Sequence, residues 1–88
     1  MRWYAEQCDG DWEHRYGIEI GTLDNPGWSL KIDLVGTSLA GRELERERFE
    51  RTEHDWVHVW SDGLAFQAAC GPVNLVEAIQ EFERFAGA

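Results

Sequence analysis

The turn signature Asp24-Asn25-Pro26-Gly27, set between two runs of alternating apolar residues, constrains this chain more than any other stretch. Before it, Tyr16, Ile18 and Ile20 alternate with Gly17, Glu19 and Gly21. After it, Trp28, Leu30, Ile32 and Leu34 alternate with Ser29, Lys31 and Asp33. Period-two alternation marks a half-buried strand, and Pro followed by Gly presets the two backbone angles of a tight turn. The pair reads as a β-hairpin. Both apolar sets sit at even numbers, so cross-strand partners on one face must sum to an even number. A loop pairing Leu23 with Trp28 fails that condition. A loop from Asn25 to Gly27 would need Asn25 helical before a proline, which is sterically disfavoured. A loop from Leu23 to Gly27 pairs Thr22 with Trp28 and Ile20 with Leu30, and is the expected register.

A second hairpin is expected from Trp56–Ser61 and Leu64–Cys70 around Asp62-Gly63, a preferred type I′ pair. That turn pairs Ser61 with Leu64, Val59 with Phe66 and Val57 with Ala68. One face then carries Val57, Val59, Phe66 and Ala68, a core face; the other carries Trp56, His58, Trp60, Ala65 and Gln67. Gly71-Pro72 ends the strand. Asn74 with Glu77 three residues on has the form of an N-terminal capping box, and Leu75, Ala78, Ile79, Phe82 and Phe85 make an apolar stripe at helical spacing. Residues 36–41 read as a loop, and Arg2–Gln7 as a short helical segment. Residues 42–52 are balanced between two readings. Their helix propensity is high, yet Leu44 and Phe49 give no helical stripe, and a charge-rich edge strand is equally physical. Two isolated hairpins cannot support themselves, so the helix must pack on the sheet. The expected fold is α+β: an antiparallel β-meander of about five strands with a C-terminal helix across one face and a short N-terminal helical segment.

The 88 residues suffice for one domain, spanning 1–88, and one core. The net charge of −9 disfavours nucleic acid and anionic membrane surfaces as partners and favours a basic one. No apolar run approaches the ~20 residues that cross a bilayer, and the first residues lack a signal-peptide core, so a cytoplasmic location is expected. Cys8 and Cys70 are too few for a disulfide framework and read as semi-buried thiols.

Two clusters are candidates for function. Asp9, Asp11 and Glu13, with Cys8 and His14 beside them, could in principle hold a divalent cation, but they lack the ligand grammar of a calcium loop. An Asx-turn that anchors the first strand, with Trp12 in the core, accounts for them better, as does a partner-facing acidic loop; no metal or other cofactor is expected. Trp56, His58 and Trp60 line one strand face, where aromatic residues serve either as interface anchors or as core beneath a helix. Local pattern does not choose between these. A thiol enzyme built on Cys8 or Cys70 would need cations or a helix N-terminus to activate the sulfur. No such arrangement is evident, and no catalytic residue is expected.

The stretches Trp3-Tyr4, Gln7-Cys8-Asp9-Gly10-Asp11-Trp12-Glu13-His14 and Tyr16-Gly17-Ile18 resemble the opening block of the immunity protein 53 family. Thr22-Leu23-Asp24-Asn25-Pro26-Gly27-Trp28, continuing through Ile32-Asp33-Leu34, is similar to its second block; Asp55-Trp56, Gly71-Pro72 and Asn74-Leu75 match more weakly. The resemblance implies a strand for residues 43–52 and a small bacterial protein of polymorphic-toxin systems that binds and neutralises a cognate toxin without catalysis. Some members carry a rhodanese-related sulfurtransferase label, which the absence of an activated thiol argues against here. On this reading the toxin-contacting candidates are Asp9, Asp11, Glu13, Asp24, Asp55, Trp56, His58, Trp60 and Asp62. The shared motif residues Cys8, Gly10, Trp12, His14, Asn25, Pro26, Gly27 and Trp28 have structural roles. A small sulfurtransferase-like enzyme and an oligomerising adaptor are the alternatives, and a homodimer is compatible with either.

Overall fold

A computed structural model describes residues 1–87. In chain order it contains α1 (Arg2–Gln7), α2 (Trp12–Arg15), β1 (Ile18–Leu23), β2 (Gly27–Asp33), β3 (Glu43–Thr52), β4 (Asp55–Asp62), β5 (Ala65–Cys70) and α3 (Leu75–Phe85). The first hairpin has the register that parity demands: Ile20 faces Leu30 and Thr22 faces Trp28, and the ladder closes one pair later at Leu23–Gly27. Gly27 is required by close approach, because a Cβ there would lie 2.2 Å from the carbonyl oxygen of Cys70.

The second hairpin corrects the expected register while keeping the expected faces. Ser61 pairs with Phe66, Val59 with Ala68 and Val57 with Cys70, a slide of two residues. Gly63, with φ of +89°, occupies the first central position of the turn rather than the second. Asp62 Oδ1 then accepts the backbone N–H groups of Leu64 and Ala65 at 2.9 and 3.1 Å. A slide of two preserves strand parity, so Val57, Val59, Phe66 and Ala68 still share the buried face.

All five strands are antiparallel, but their order is β1-β2-β5-β4-β3, which corrects the strand order of a simple meander. After β2 the chain crosses to the far edge, forms β3, and returns through β4 and β5 to pair with β2. Charge explains the arrangement. β3, settled as a strand, reads Glu-Leu-Glu-Arg-Glu-Arg-Phe-Glu-Arg-Thr and would be costly between two neighbours, whereas β5 reads Ala-Phe-Gln-Ala-Ala-Cys and carries no charge. The crossover segment is anchored by Leu34 and Leu39, both buried, and passes the β4–β5 turn, where Leu34 N–H bonds Leu64 O and Gly41 N–H bonds Gly63 O.

The core lies between one sheet face and α3. Leu30, Ile32, Val57, Val59, Phe66 and Ala68 from the sheet meet Ala78 and Phe82 from the helix. The Phe66 and Phe82 rings pack edge-on at 5.2 Å, and Trp3 of α1 stands edge-on to Phe82 at 4.9 Å. Asn74 occupies the N-cap position of α3, but its side chain makes no cap to that helix, a correction to the capping-box expectation. Its amide nitrogen donates to Asp55 and Glu77 at 2.8 and 3.1 Å, and its oxygen accepts from Trp56 N–H at 3.4 Å. The side chain is recruited by the start of β4, so it joins helix to sheet.

Candidate protein-binding face

Alternation along β4 sends Val57 and Val59 into the core and Trp56, His58 and Trp60 to the opposite face. Among the described residues, the helices pack on the first face only: α3 through Ala78 and Phe82, α1 through Trp3 on Phe82, and α2 through Trp12 against Trp3. The aromatic triplet therefore lies on the helix-free face and is not core beneath a helix.

The registers place its neighbours. One row across the sheet runs Gly21, Ser29, Ala69, His58, Arg48; the next runs Glu19, Lys31, Gln67, Trp60. In the first row the small side chains of Gly21, Ser29 and Ala69 make a low floor on β1, β2 and β5, bordered by the longer polar Glu19, Lys31 and Gln67, and the β4 aromatics stand beside it as a wall. Sequence reasoning missed Arg46 and Glu50, which complete that wall. A bulge in β3 sets Glu45 and Arg46 together opposite Trp60, and the Arg46 guanidinium lies 4.0 Å over the Trp60 ring, a cation–π contact. The bulge shifts strand parity, so no local pattern signalled it. His58 stands edge-on to Trp56 at 5.0 Å, and its Nε2 lies 3.6 Å from Glu50 Oε2, too far for a hydrogen bond. That buried Nε2 has no hydrogen-bond partner among the described residues. Asn25, Glu50, Thr52, Glu53, Trp56 and His58 line an adjoining groove of about 460 Å³, which brings the first hairpin's turn to the same face.

The acidic candidates are not gathered there. Asp9 and Asp11 lie between α1 and α2, and Glu13 in the first turn of α2. Asp9 Oδ1 accepts the N–H groups of Asp11 and Trp12, both at 3.0 Å, and the Glu13 carboxylate accepts those of Asp9 and Gly10 at 3.0 and 2.8 Å. This is the expected Asx-turn, and the Trp12 and Asp11 donors hold the Asp9 carboxyl below its ordinary range. Asp11 pairs with Arg15 at 3.4 Å, with both side chains largely exposed. Trp12 is buried; its indole N–H donates to Val35 O at 2.9 Å. Among the described residues, no three His, Cys, Asp or Glu side chains converge as metal ligands.

Asp24 is exposed in the first turn. Asp55 and Asp62 lie at opposite ends of β4. Arg51 reaches Asp55 at 2.8 Å and Glu77 at 2.5 Å, and that guanidinium, with the Asn74 amide, holds both carboxyls low. The backbone donors of Leu64 and Ala65 do the same for Asp62.

Of the motif residues, Gly10 has φ of +91°, Trp28 donates its indole N–H to Pro72 O at 3.0 Å, Asn25 and Pro26 form the turn, and His14 is exposed. The cysteines differ from the semi-buried pair expected of them. Cys8 is exposed, and its thiol donates to Tyr4 O at 3.3 Å, because it falls just past the last turn of α1. Cys70 is 1% exposed on the core face, and burial pushes its thiol up, against the direction a nucleophile needs.

No curated protein and no solved structure matches the chain. The family model described as immunity protein 53 matches residues 1–87, and a match over essentially the whole length places the chain in the immunity protein 53 family.

Proposed function

We propose that this member of an immunity-protein family binds a bacterial toxin through the helix-free sheet face and neutralises it by occupying the toxin's surface. One observation supports this reading above the others: Trp56, His58 and Trp60 sit together on a face that the described helices leave uncovered. Aromatic anchors beside a low floor suit a protein partner, because large rigid side chains bury much area at small entropic cost. The net charge of −9 steers a basic toxin towards the chain. Asp9, Asp11, Glu13, Asp24, Asp55 and Asp62 contribute to that field, and Glu50 and Glu53 supply carboxylates beside the aromatic wall.

The toxin belongs to a polymorphic system and is met in the bacterial cytoplasm; neither catalysis nor nucleic acid enters the mechanism. A sulfurtransferase activity finds no support in the thiols, one spent on a local carbonyl and the other buried with its proton held on. The test is titration calorimetry of the chain against the toxin encoded beside it. Replacing Trp56 and Trp60 together by Ala should weaken binding by about 2 kcal/mol or more, roughly thirtyfold, in a protein whose circular dichroism is unchanged. Full affinity in that variant would move the contact elsewhere.

A further inference from the structure

Arg46 over Trp60 shows how the helix-free face holds a cation. The guanidinium lies 4.0 Å over the indole ring, whose negative π-face attracts it. Trp56 stands on the same side of β4, yet among the described residues no Arg or Lys lies over its ring. Its partner across the strands is Glu50. One aromatic station carries a cation of the chain's own, and the other faces a carboxylate.

The groove beside Trp56 is short of positive charge. Its charged liners are Glu50 and Glu53, and among the described residues neither has an Arg or Lys partner. By contrast, Arg51 already serves the nearby Asp55 and Glu77. A second, independent deficit lies at His58. Its Nε2 is buried without a hydrogen-bond partner among the described residues, a state that native polar atoms rarely keep. Glu50 Oε2 stands over it at 3.6 Å, on a side chain that is 64% exposed, so that carboxylate can swing aside and admit an N–H donor. Asn25 and Thr52 complete the lining with neutral polar groups.

We propose that this groove receives an arginine side chain of the toxin, its guanidinium stacked on Trp56 with its N–H groups given to Glu50, Glu53 and His58 Nε2. The proposal rests on the toxin-binding reading of this face. Geometry favours a side-chain cation over a metal ion, because the carboxylates and imidazole lining the groove do not converge as ligands. Arginine suits it better than lysine. A planar guanidinium offers five donors in a fixed fork and stacks on an aromatic ring, whereas an ammonium is a strongly hydrated point charge. Charge also selects the position. The chain's own cations, Arg46 and Arg48, stand at Trp60 and opposite His58, so an incoming one meets least repulsion at Trp56.

The experiment is titration calorimetry against the toxin encoded beside the chain, with Glu50→Gln and Glu53→Gln combined. Both residues are exposed, and the urea midpoint should be unchanged. Affinity should fall roughly tenfold or more, and its salt dependence should flatten. Each toxin arginine is then replaced by Ala. One replacement should weaken binding to the parent chain by roughly tenfold or more and cause little further loss against the double Gln variant. Undiminished affinity of the double Gln variant would overturn the proposal, and so would coupling to a toxin lysine or to no arginine. The Trp56 and Trp60 double Ala variant separates the two readings. If it loses affinity while the double Gln variant keeps it, the face still binds toxin and only the arginine is wrong; if both keep it, the face reading falls as well.

Discussion

The two faces of β4 differ in what covers them: one lies under α3 and the other is helix-free among the described residues. Val57 and Val59 are buried against Phe66 and Phe82, and this face holds the molecule together. One residue out of phase, Trp56 and His58 stand edge-on to each other and Trp60 lies beneath Arg46 of β3. Large aromatic side chains on a helix-free face add less to stability than they would in the core. The comparison teaches that one short strand separates a packed core face from an uncovered aromatic face by parity alone, so on the proposed function substitutions on its two sides should have different readouts.

The largest effect should come from the buried side. Phe82→Ala removes a fully buried ring and should cost about 3–5 kcal/mol in urea unfolding, whereas Trp60→Ala should cost clearly less than Phe82→Ala. Equal losses would erase the distinction between the faces. The next effect is on binding: the Trp56 and Trp60 double variant described above should lose affinity for the toxin without a comparable loss of stability.

Asn74→Ala tests the seam between helix and sheet. It removes a buried amide that serves Asp55, Glu77 and Trp56 N–H, and should cost about 1–3 kcal/mol, visible as faster hydrogen exchange at Trp56. A smaller effect should appear in acid. Asp9, Asp55, Asp62 and Glu77 all have folded-state pKa values below their ordinary ones. Their contribution is complete above the unfolded pKa values of about 4 and is lost as pH falls through the depressed ones. The urea midpoint should therefore hold from neutrality down to about pH 5 and decline below it, less steeply in Asp55→Asn. The smallest effect is expected at Cys8→Ser, within about 0.5 kcal/mol as for most exposed positions and with toxin protection intact; loss of protection would revive a thiol mechanism.

Local sequence carried much of this. The first hairpin was legible because parity and the Asn25-Pro26 restriction left one register standing, and the α3 stripe because its spacing fits no strand. The β4–β5 register was not, since Asp62-Gly63 also serves when Gly63 takes the first central position, and a two-residue slide leaves the alternation unchanged. Strand order was hidden because no local feature states that β2 must wait for β5. Residues 43–52 needed the family resemblance to read as a strand. The uncovered face could not be read at all, since alternation defines two faces without saying which one a distant helix will choose. Arg46 over Trp60 depends on a bulge that has no sequence signature here.

The crossing between β2 and β3 has a kinetic consequence. It divides the sheet into a two-stranded and a three-stranded unit, each closed by short turns, and among the described residues leaves the β2–β5 ladder from Trp28–Cys70 to Asp33–Ala65 as the one strand pairing between residues far apart in the chain. Closing long loops is the slow part of folding, so that ladder is expected to zip last. Pulse-labelled exchange should then find the amides of Leu30 and Ile32, which point to β5, protected after those of Gly21 and Lys31, which bond within the first hairpin. Simultaneous protection of both sets would mean that the sheet condenses in a single step.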